Sequence, residues 1–534
     1  MKNSIQLFFS LLVLSTIMAN AQDHFKYNVQ LNAITIPNLP GLQSFAFGQH
    51  DGKWLLIGGR KDGLHARQPF NAFPGTQNNS TLYVVDPQTK QVWTASLSVL
   101  STALSEQLQS TNMNFYQDQD TLVIIGGYAF ATSVNDHITF PYITTIQVSG
   151  LMQAIENGNS ITPYFKQIMD TNFAITGGQL GKIGNEFILV GGQRFDGRYN
   201  PMGNPTYVQT YSNQVKKFQL NNTGTQPVVN NYQSTVDAVH LHRRDYNLLP
   251  QIFPDGSEGY TISSGVFQNN VDLPYLYPVD IHATGHHPQT GFNQYLSHYH
   301  SAKACLYDST NNEMHSLFFG GLSQYYYQNN TLVQDNNVPF VKTISRLSRY
   351  ADSSLHEYKV DNEMPAFNGA SAEFIPNHNF PHYSNEVLKL SAMPQDTLPI
   401  GHIVGGIGST SLNPFTVNAT NNTFAETTIY EVQLIRNEAL SSHSIPGKNP
   451  YQLNVFPNPF STEFTLEFEL PSSMPVHYFI TGTSGNLLQE GELPSVAGKH
   501  KDVLQIQQDI PSQNLVLTVV IDNKFTLLQT VFKK

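Results

Sequence analysis

Four clusters in this sequence combine planar rings with cationic or hydrogen-bonding groups, and each follows a glycine doublet. Arg60, His65 and Arg67, with Phe70 and Phe73, follow Gly58-Gly59, and Tyr128 and Phe130 follow Gly126-Gly127. Arg194, Phe195, Arg198 and Tyr199 follow Gly191-Gly192, and Tyr325, Tyr326 and Tyr327 follow Gly320-Gly321. Aromatic faces pack on the apolar side of a sugar ring, while guanidinium groups reach hydroxyls and carboxylates. These residues are the expected ligand contacts, for a glycan or another exposed polymer. The competing use of the same rings is to pin long loops in place.

Histidine is the other concentrated chemistry. His282, His286, His287, His298 and His300 lie close together, and a strand through His298-Tyr299-His300 would set two imidazoles on one face. A metal there needs a third ligand from elsewhere, and no acidic residue is an obvious partner. The single cysteine, Cys305, lies in the apolar run 302–307 and reads as core; it can form neither an internal disulfide nor a cysteine zinc site. No Gly-x-Ser-x-Gly elbow, phosphate loop or His-Glu-x-x-His pair occurs, and Asp and Glu are too scattered to name an acid–base pair. No catalytic residue, metal or cofactor is assigned from the sequence.

The elements that must position these groups repeat. An apolar run closing in glycines recurs as Trp54-Leu-Leu-Ile-Gly-Gly59, Leu122-Val-Ile-Ile-Gly-Gly127, Phe187-Ile-Leu-Val-Gly-Gly192, Leu317-Phe-Phe-Gly-Gly321 and His402-Ile-Val-Gly-Gly406. Tyr260-Thr-Ile-Ser-Ser-Gly265 is a degenerate copy. A buried strand ending in Gly-Gly turns sharply and packs tightly against its neighbour. Most copies continue through a polar loop into another strand, as in Thr81-Leu-Tyr-Val-Val-Asp86.

Through these copies, residues 25–436 resemble the kelch-type β-propellers. The fullest copy pairs Gly58-Gly59 with Tyr83 and Trp93; the other copies lack the tryptophan. The resemblance implies an all-β, six-bladed propeller of four-stranded blades, with the connection after each glycine doublet (between strands 2 and 3) emerging on one face. Those connections are long, from Arg60 to Ser80, Tyr128 to His137, Gln193 to Thr206 and Leu322 to Asn337. The last copy lacks an outer strand, and residues 26–36 are expected to supply it and close the ring. Some members of this family act on sialic acids or oxidise sugars, so a carbohydrate-active enzyme is the alternative to a binding protein. A structural envelope protein is a third reading.

After a polar segment at 437–450, expected to be a linker, short alternating strands fill 451–534. Val455-Phe-Pro-Asn-Pro-Phe460, Thr481-Gly-Thr-Ser-Gly485 and the terminal Val531-Phe-Lys-Lys534 are similar to a type IX secretion sorting domain, a small β-sandwich, with Pro457, Asn458 and Pro459 as the motif residues. That resemblance implies export across an outer membrane, to the cell surface or into the extracellular medium, with the type IX machinery as partner. At the other end, Lys2, an apolar run from Leu7 to Met18 and Ala19-Asn-Ala21 read as a signal peptide over 1–21, cleaved between Ala21 and Gln22.

Composition agrees with these elements. Charged residues are only 13% of the chain, against 37 Gly, 30 Pro, 26 Tyr and 33 Phe, which disfavours coiled coils and helical bundles. A hydrophobic fraction of 40% supports a packed core. The formal net charge of −11 and the lack of any Lys/Arg run argue against nucleic acid as a partner. No later stretch is apolar for long enough to be a membrane-spanning helix.

Overall fold

The computed structural model describes residues 23–67, 72–201, 206–437, 444–445, 447–507 and 510–534. The proposed cleavage point, Ala21 and Gln22, and Phe70 lie outside them. The chain is all-β and propeller-like. Antiparallel sheets follow one another along the sequence, beginning with Ala46–His50, Lys53–Ile57, Thr81–Asp86 and Gln91–Ser96 in hydrogen-bonded order. The second, third and fourth sheets start at Asn114–Asp118, Gln179–Ile183 and Asn247–Ile252 and repeat that four-strand order. The fifth starts at Lys303–Asp308 and carries an extra short strand on each edge, Leu388–Lys389 and Ser444–Ile445. The sixth is Glu373–Pro376, Thr397–Val404 and Ile429–Arg436, with Tyr27–Ile34 paired antiparallel to Ile429–Arg436 as its outer strand.

Period-2 alternation explains why the sheets stack. In Lys53–Ile57, Leu55 and Ile57 pack with Leu122 and Ile124 of the second sheet, while Trp54 and Leu56 pack with Ile375 and Val404 of the sixth. Further clusters fill the spaces between the second and third, third and fourth, fourth and fifth, and fifth and sixth sheets. Each sheet is thus buried on both faces by its sequence neighbours, and the last neighbours the first.

The glycine doublets allow this close approach. Gly126 has φ 68°, and a Cβ there would sit 1.8 Å from the Ile175 carbonyl oxygen. Only glycine accommodates both the left-handed backbone and that proximity.

The connections following the doublets are more ordered than the loops expected from sequence. Tyr128–Ala131 pairs with Asp136–Thr139, Gln193–Gly197 with Tyr207–Tyr211, and Tyr325–Gln328 with Thr331–Gln334. Local turn chemistry produces these ribbons. In the last, Asn329 and Asn330 take φ values of 49° and 61°, the left-handed pair that a two-residue hairpin turn needs.

Residues 454–533 form two packed sheets around their own core, which includes Phe464, Leu466, Ile480, Leu517 and Val531. Asn458 sews the start of this unit to its last strand: its Nδ2 donates to the Thr530 carbonyl at 3.0 Å, and its Oδ1 accepts from the Phe532 N–H at 2.9 Å. The unit touches the rest of the chain through Ala238 N–H to Gly485 O at 3.0 Å and Gln268 Nε2 to Asn523 O at 2.8 Å.

Candidate functional site

The six innermost strands meet around one axis, and the backbone draws a closed circuit there. Asn112 N–H donates to Ser44 O, Gly177 to Asn112, Asp245 to Gly177, His300 to Asp245, Ser371 to His300 and Ser44 to Ser371, at 2.8–3.2 Å. Ser44, Asn112, Asp245 and Ser371 hold φ values of 50–54°, and Gly177 holds 65°. Short polar side chains and glycine tolerate that conformation best. Each of these residues lies near the start of its innermost strand, at the end of the axis where the glycine-doublet connections emerge.

On that face the structure gathers most of the sequence-selected residues into one cluster. His65 stacks on Phe73 at 4.7 Å and meets Tyr199 and Phe415 edge-on at 4.8 and 5.3 Å. Phe195 stacks on Tyr207 at 4.6 Å and contacts Tyr128 edge-on at 5.2 Å. Phe130 packs edge-on to His137, and the Arg67 guanidinium lies over Phe415 at 5.2 Å. Burial lowers the His65 pKa to about 4, and Arg244 and Arg60 push the same way, so the ring is a neutral packing element at physiological pH.

Several of the selected side chains hold loops. Arg60 is buried, pairs with both Asp62 oxygens at 2.8 and 2.6 Å, and donates to Asn78 Oδ1 and Pro74 O. The buried Tyr128 donates its hydroxyl to Gly197 O at 2.8 Å. Arg198 donates from Nε to Ala72 O at 2.9 Å. Arg194 is different: its side chain is 54% exposed, with Asp196 Oδ2 at 2.6 Å. Tyr325, Tyr326 and Tyr327 do not join this cluster. Tyr325 is buried against Tyr295, and Tyr327 lies under Lys359, both at the fifth sheet.

The histidines do not share a strand face. His298 is buried, with Nε2 against Gln294 O and Nδ1 accepting from Gln324 N–H, whereas His300 Nε2 lies 3.1 Å from Glu373 Oε1. Residues 298–300 are irregular backbone, so strand alternation does not apply to them. His286 Nε2 contacts Asp237 Oδ2 at 2.8 Å. These acidic partners are far away in sequence, which is why the sequence did not show them. Among the described residues, no group of three His, Cys, Asp or Glu is arranged to hold a metal.

Below the backbone circuit lies a cavity of about 190 Å³ running along the axis. Its wall mixes Phe45, Phe47, Phe115 and Phe374 with Asp245, His300, Lys303 and Glu373. Sequence reasoning selected neither this cavity nor Arg244, which pairs with Asp245 and lies over Phe267 at 5.0 Å. The signal was available in the recurrence of Ser44, Asn112, Gly177, Asp245 and Ser371, turn-tolerant residues just ahead of the innermost strands.

No protein-family profile matches the chain, and no curated protein matches it. Among solved structures, "Structure of YjhT" is similar to it at 10% identity with a TM-score of 0.42, covering 77% of this chain and 99% of that one.

Proposed function

We propose that this chain is an exported recognition protein: a six-bladed kelch-type propeller that binds a glycan or another exposed polymer on its ribbon-bearing face, followed by a type IX sorting sandwich over 451–534. The observation that carries the reading is the joining of His65, Arg67, Phe195 and Tyr199 with Tyr207 and Phe415 into one aromatic, cationic platform beside the exposed Arg194. Its half-buried rings, His65, Tyr199, Tyr207 and Phe415, offer surface for stacking over the buried Phe195, and Arg194 offers a guanidinium for hydroxyls or carboxylates. The test is a glycan array probed with the full mature chain. Saturable binding that falls about tenfold in Arg194→Ala is expected for a lost charged hydrogen bond. Silence across the array, or affinity indifferent to that change, overturns the glycan reading and leaves a protein ligand or an envelope role. For export, deleting 451–534 is expected to strand the protein in the periplasm; unchanged surface display overturns the sorting assignment.

A second reading, a carbohydrate-active enzyme, is favoured by one observation. The axial cavity contains His300 held by Glu373, the arrangement of a base oriented by a carboxylate. Turnover of a sugar lost in His300→Gln supports it, and saturable binding without turnover rejects it.

A further inference from the structure

The innermost strands place equivalent positions in layers around the axis. Three residues beyond each member of the backbone circuit, the chain contributes Phe47, Phe115, Leu180, Leu248, Lys303 and Phe374, and all six line the axial cavity. Five of the six are apolar. The sixth, Lys303, has no carboxylate within ion-pair distance and no hydrogen-bond partner for its ammonium among the described residues, whereas the nearby carboxylates each have a partner. Asp245 is paired with Arg244, and Glu373 and Glu386 lie against His300 and His378, which offset their charge only when protonated. Lys303 is half-buried, and a cation drawn into an apolar collar without a counter-charge carries a desolvation cost that a bound anion would offset.

The ends of the cavity limit what that can be. The circuit closes one end with N–H groups already committed to one another. Residues 377–389 cross the other end: Tyr116 donates its hydroxyl to Ser384 O at 3.0 Å, Ser384 Oγ reaches Glu258 at 3.2 Å, and Asn385 Nδ2 donates to Gln251 O at 3.2 Å. This strap therefore touches the second and fourth sheets, and His378 meets Gln49 of the first. The volume of about 190 Å³ suits a molecule of one or two rings.

We infer that the axial cavity is a binding site for a small monocarboxylate with a flat apolar body, its carboxylate on Lys303 and its rings against Phe47, Phe115 and Phe374. A single ammonium balances one negative charge, and nothing beside it supplies the ring of donors that a doubly charged phosphate needs. This site is separate from the ribbon-bearing face and does not depend on the glycan reading.

The experiment is isothermal titration of the full mature chain with 2-naphthoate, and with 2-naphthylmethanol and 2-naphthylmethylamine as neutral and cationic comparators. The acid is expected to bind at least about tenfold more tightly than the alcohol, the difference one charge-assisted contact supplies. Lys303→Met keeps the length and apolar stem of the side chain and is expected to abolish that preference while the alcohol still binds. Leu180→Phe, which narrows the collar, is expected to weaken both ligands, and Arg194→Ala to change neither. Thermal unfolding of each variant confirms that it is folded. The inference is overturned if no ligand binds at millimolar concentration, if the alcohol or amine binds as well as the acid, or if Lys303→Met retains the preference. Acid binding unaffected by Leu180→Phe places the ligand elsewhere and overturns it too.

Discussion

At the scale of single residues, type alone did not separate ligand contacts from loop anchors. Arg60 and Arg194 are the same residue at neighbouring positions after a glycine doublet, yet one is buried on Asp62 and Asn78 and the other projects into solvent. Burial also sets the protonation states. It depresses His65, His240, His242 and His298 to about 4 and His315 to about 3, in each case as the largest influence. Each of these histidines binds protons more weakly folded than unfolded, where the ordinary value is 6.5. Their contribution to stability is full above about pH 6.5 and is lost as pH falls toward 4. Glu357, buried and raised to about 8 while accepting from Tyr295 and Leu296 N–H, runs the other way, with stability lost as pH rises from about 4.5 to 8. Stability should therefore pass through a maximum near neutrality, with a steeper fall on the acid side because several histidines act there. Urea midpoints measured from pH 4.5 to 8.5 check this; a flat profile below pH 6.5 would contradict the buried, neutral state of these rings.

At the scale of elements, the all-β character was legible because strand signals are local. The apolar runs ending in glycine are the second strands of the sheets, and Trp54 through Ile57 show in four residues both faces that the sheet buries. The ribbons after the doublets were not legible as strands, since short polar segments such as Asp136–Thr139 have no alternating apolar face. The axial cavity was hidden for another reason: its wall takes a few residues from every sheet, so no single segment carries its pattern. Glycine offers a test at this scale. Gly126→Ala would place a Cβ 1.8 Å from the Ile175 carbonyl at φ 68°, whereas Gly52→Ala, at φ 73°, meets nothing within 4 Å. The second change carries only the left-handed penalty of roughly 1–2 kcal/mol. The first adds a clash between packed sheets and is expected to lose clearly more, about 3 kcal/mol or above. Equal unfolding free energies for the two variants in urea would refute the account of the doublets as packing contacts.

At the scale of the whole molecule, a circular stack of sheets has no end at which to finish, so the interface joining the last sheets to the first described residues is decisive. Asp23 accepts a bidentate pair from Arg346 of the fifth sheet at 2.8 and 2.5 Å, and His24 Nδ1 lies 2.5 Å from Glu313. Phe25 is buried beneath the Arg346 guanidinium, and Tyr27–Ile34 then pairs along the sixth sheet. This N-terminal clip spans two sheets before the chain enters the first. Arg346→Ala breaks a buried ion pair and is expected to lower stability by about 3 kcal/mol. Arg346→Lys should recover only part of that, because an ammonium cannot reproduce the paired geometry. Arg194→Ala, which breaks a solvent-exposed pair, should stay within about 0.5 kcal/mol of the parent. Removing residues 23–36 goes further, since it leaves Ile429–Arg436 as an open edge able to pair with another chain. Multimers on size-exclusion chromatography are expected for that deletion. A monomer that still unfolds in one cooperative step would show that the clip is dispensable and that the remaining sheets close the circle unaided.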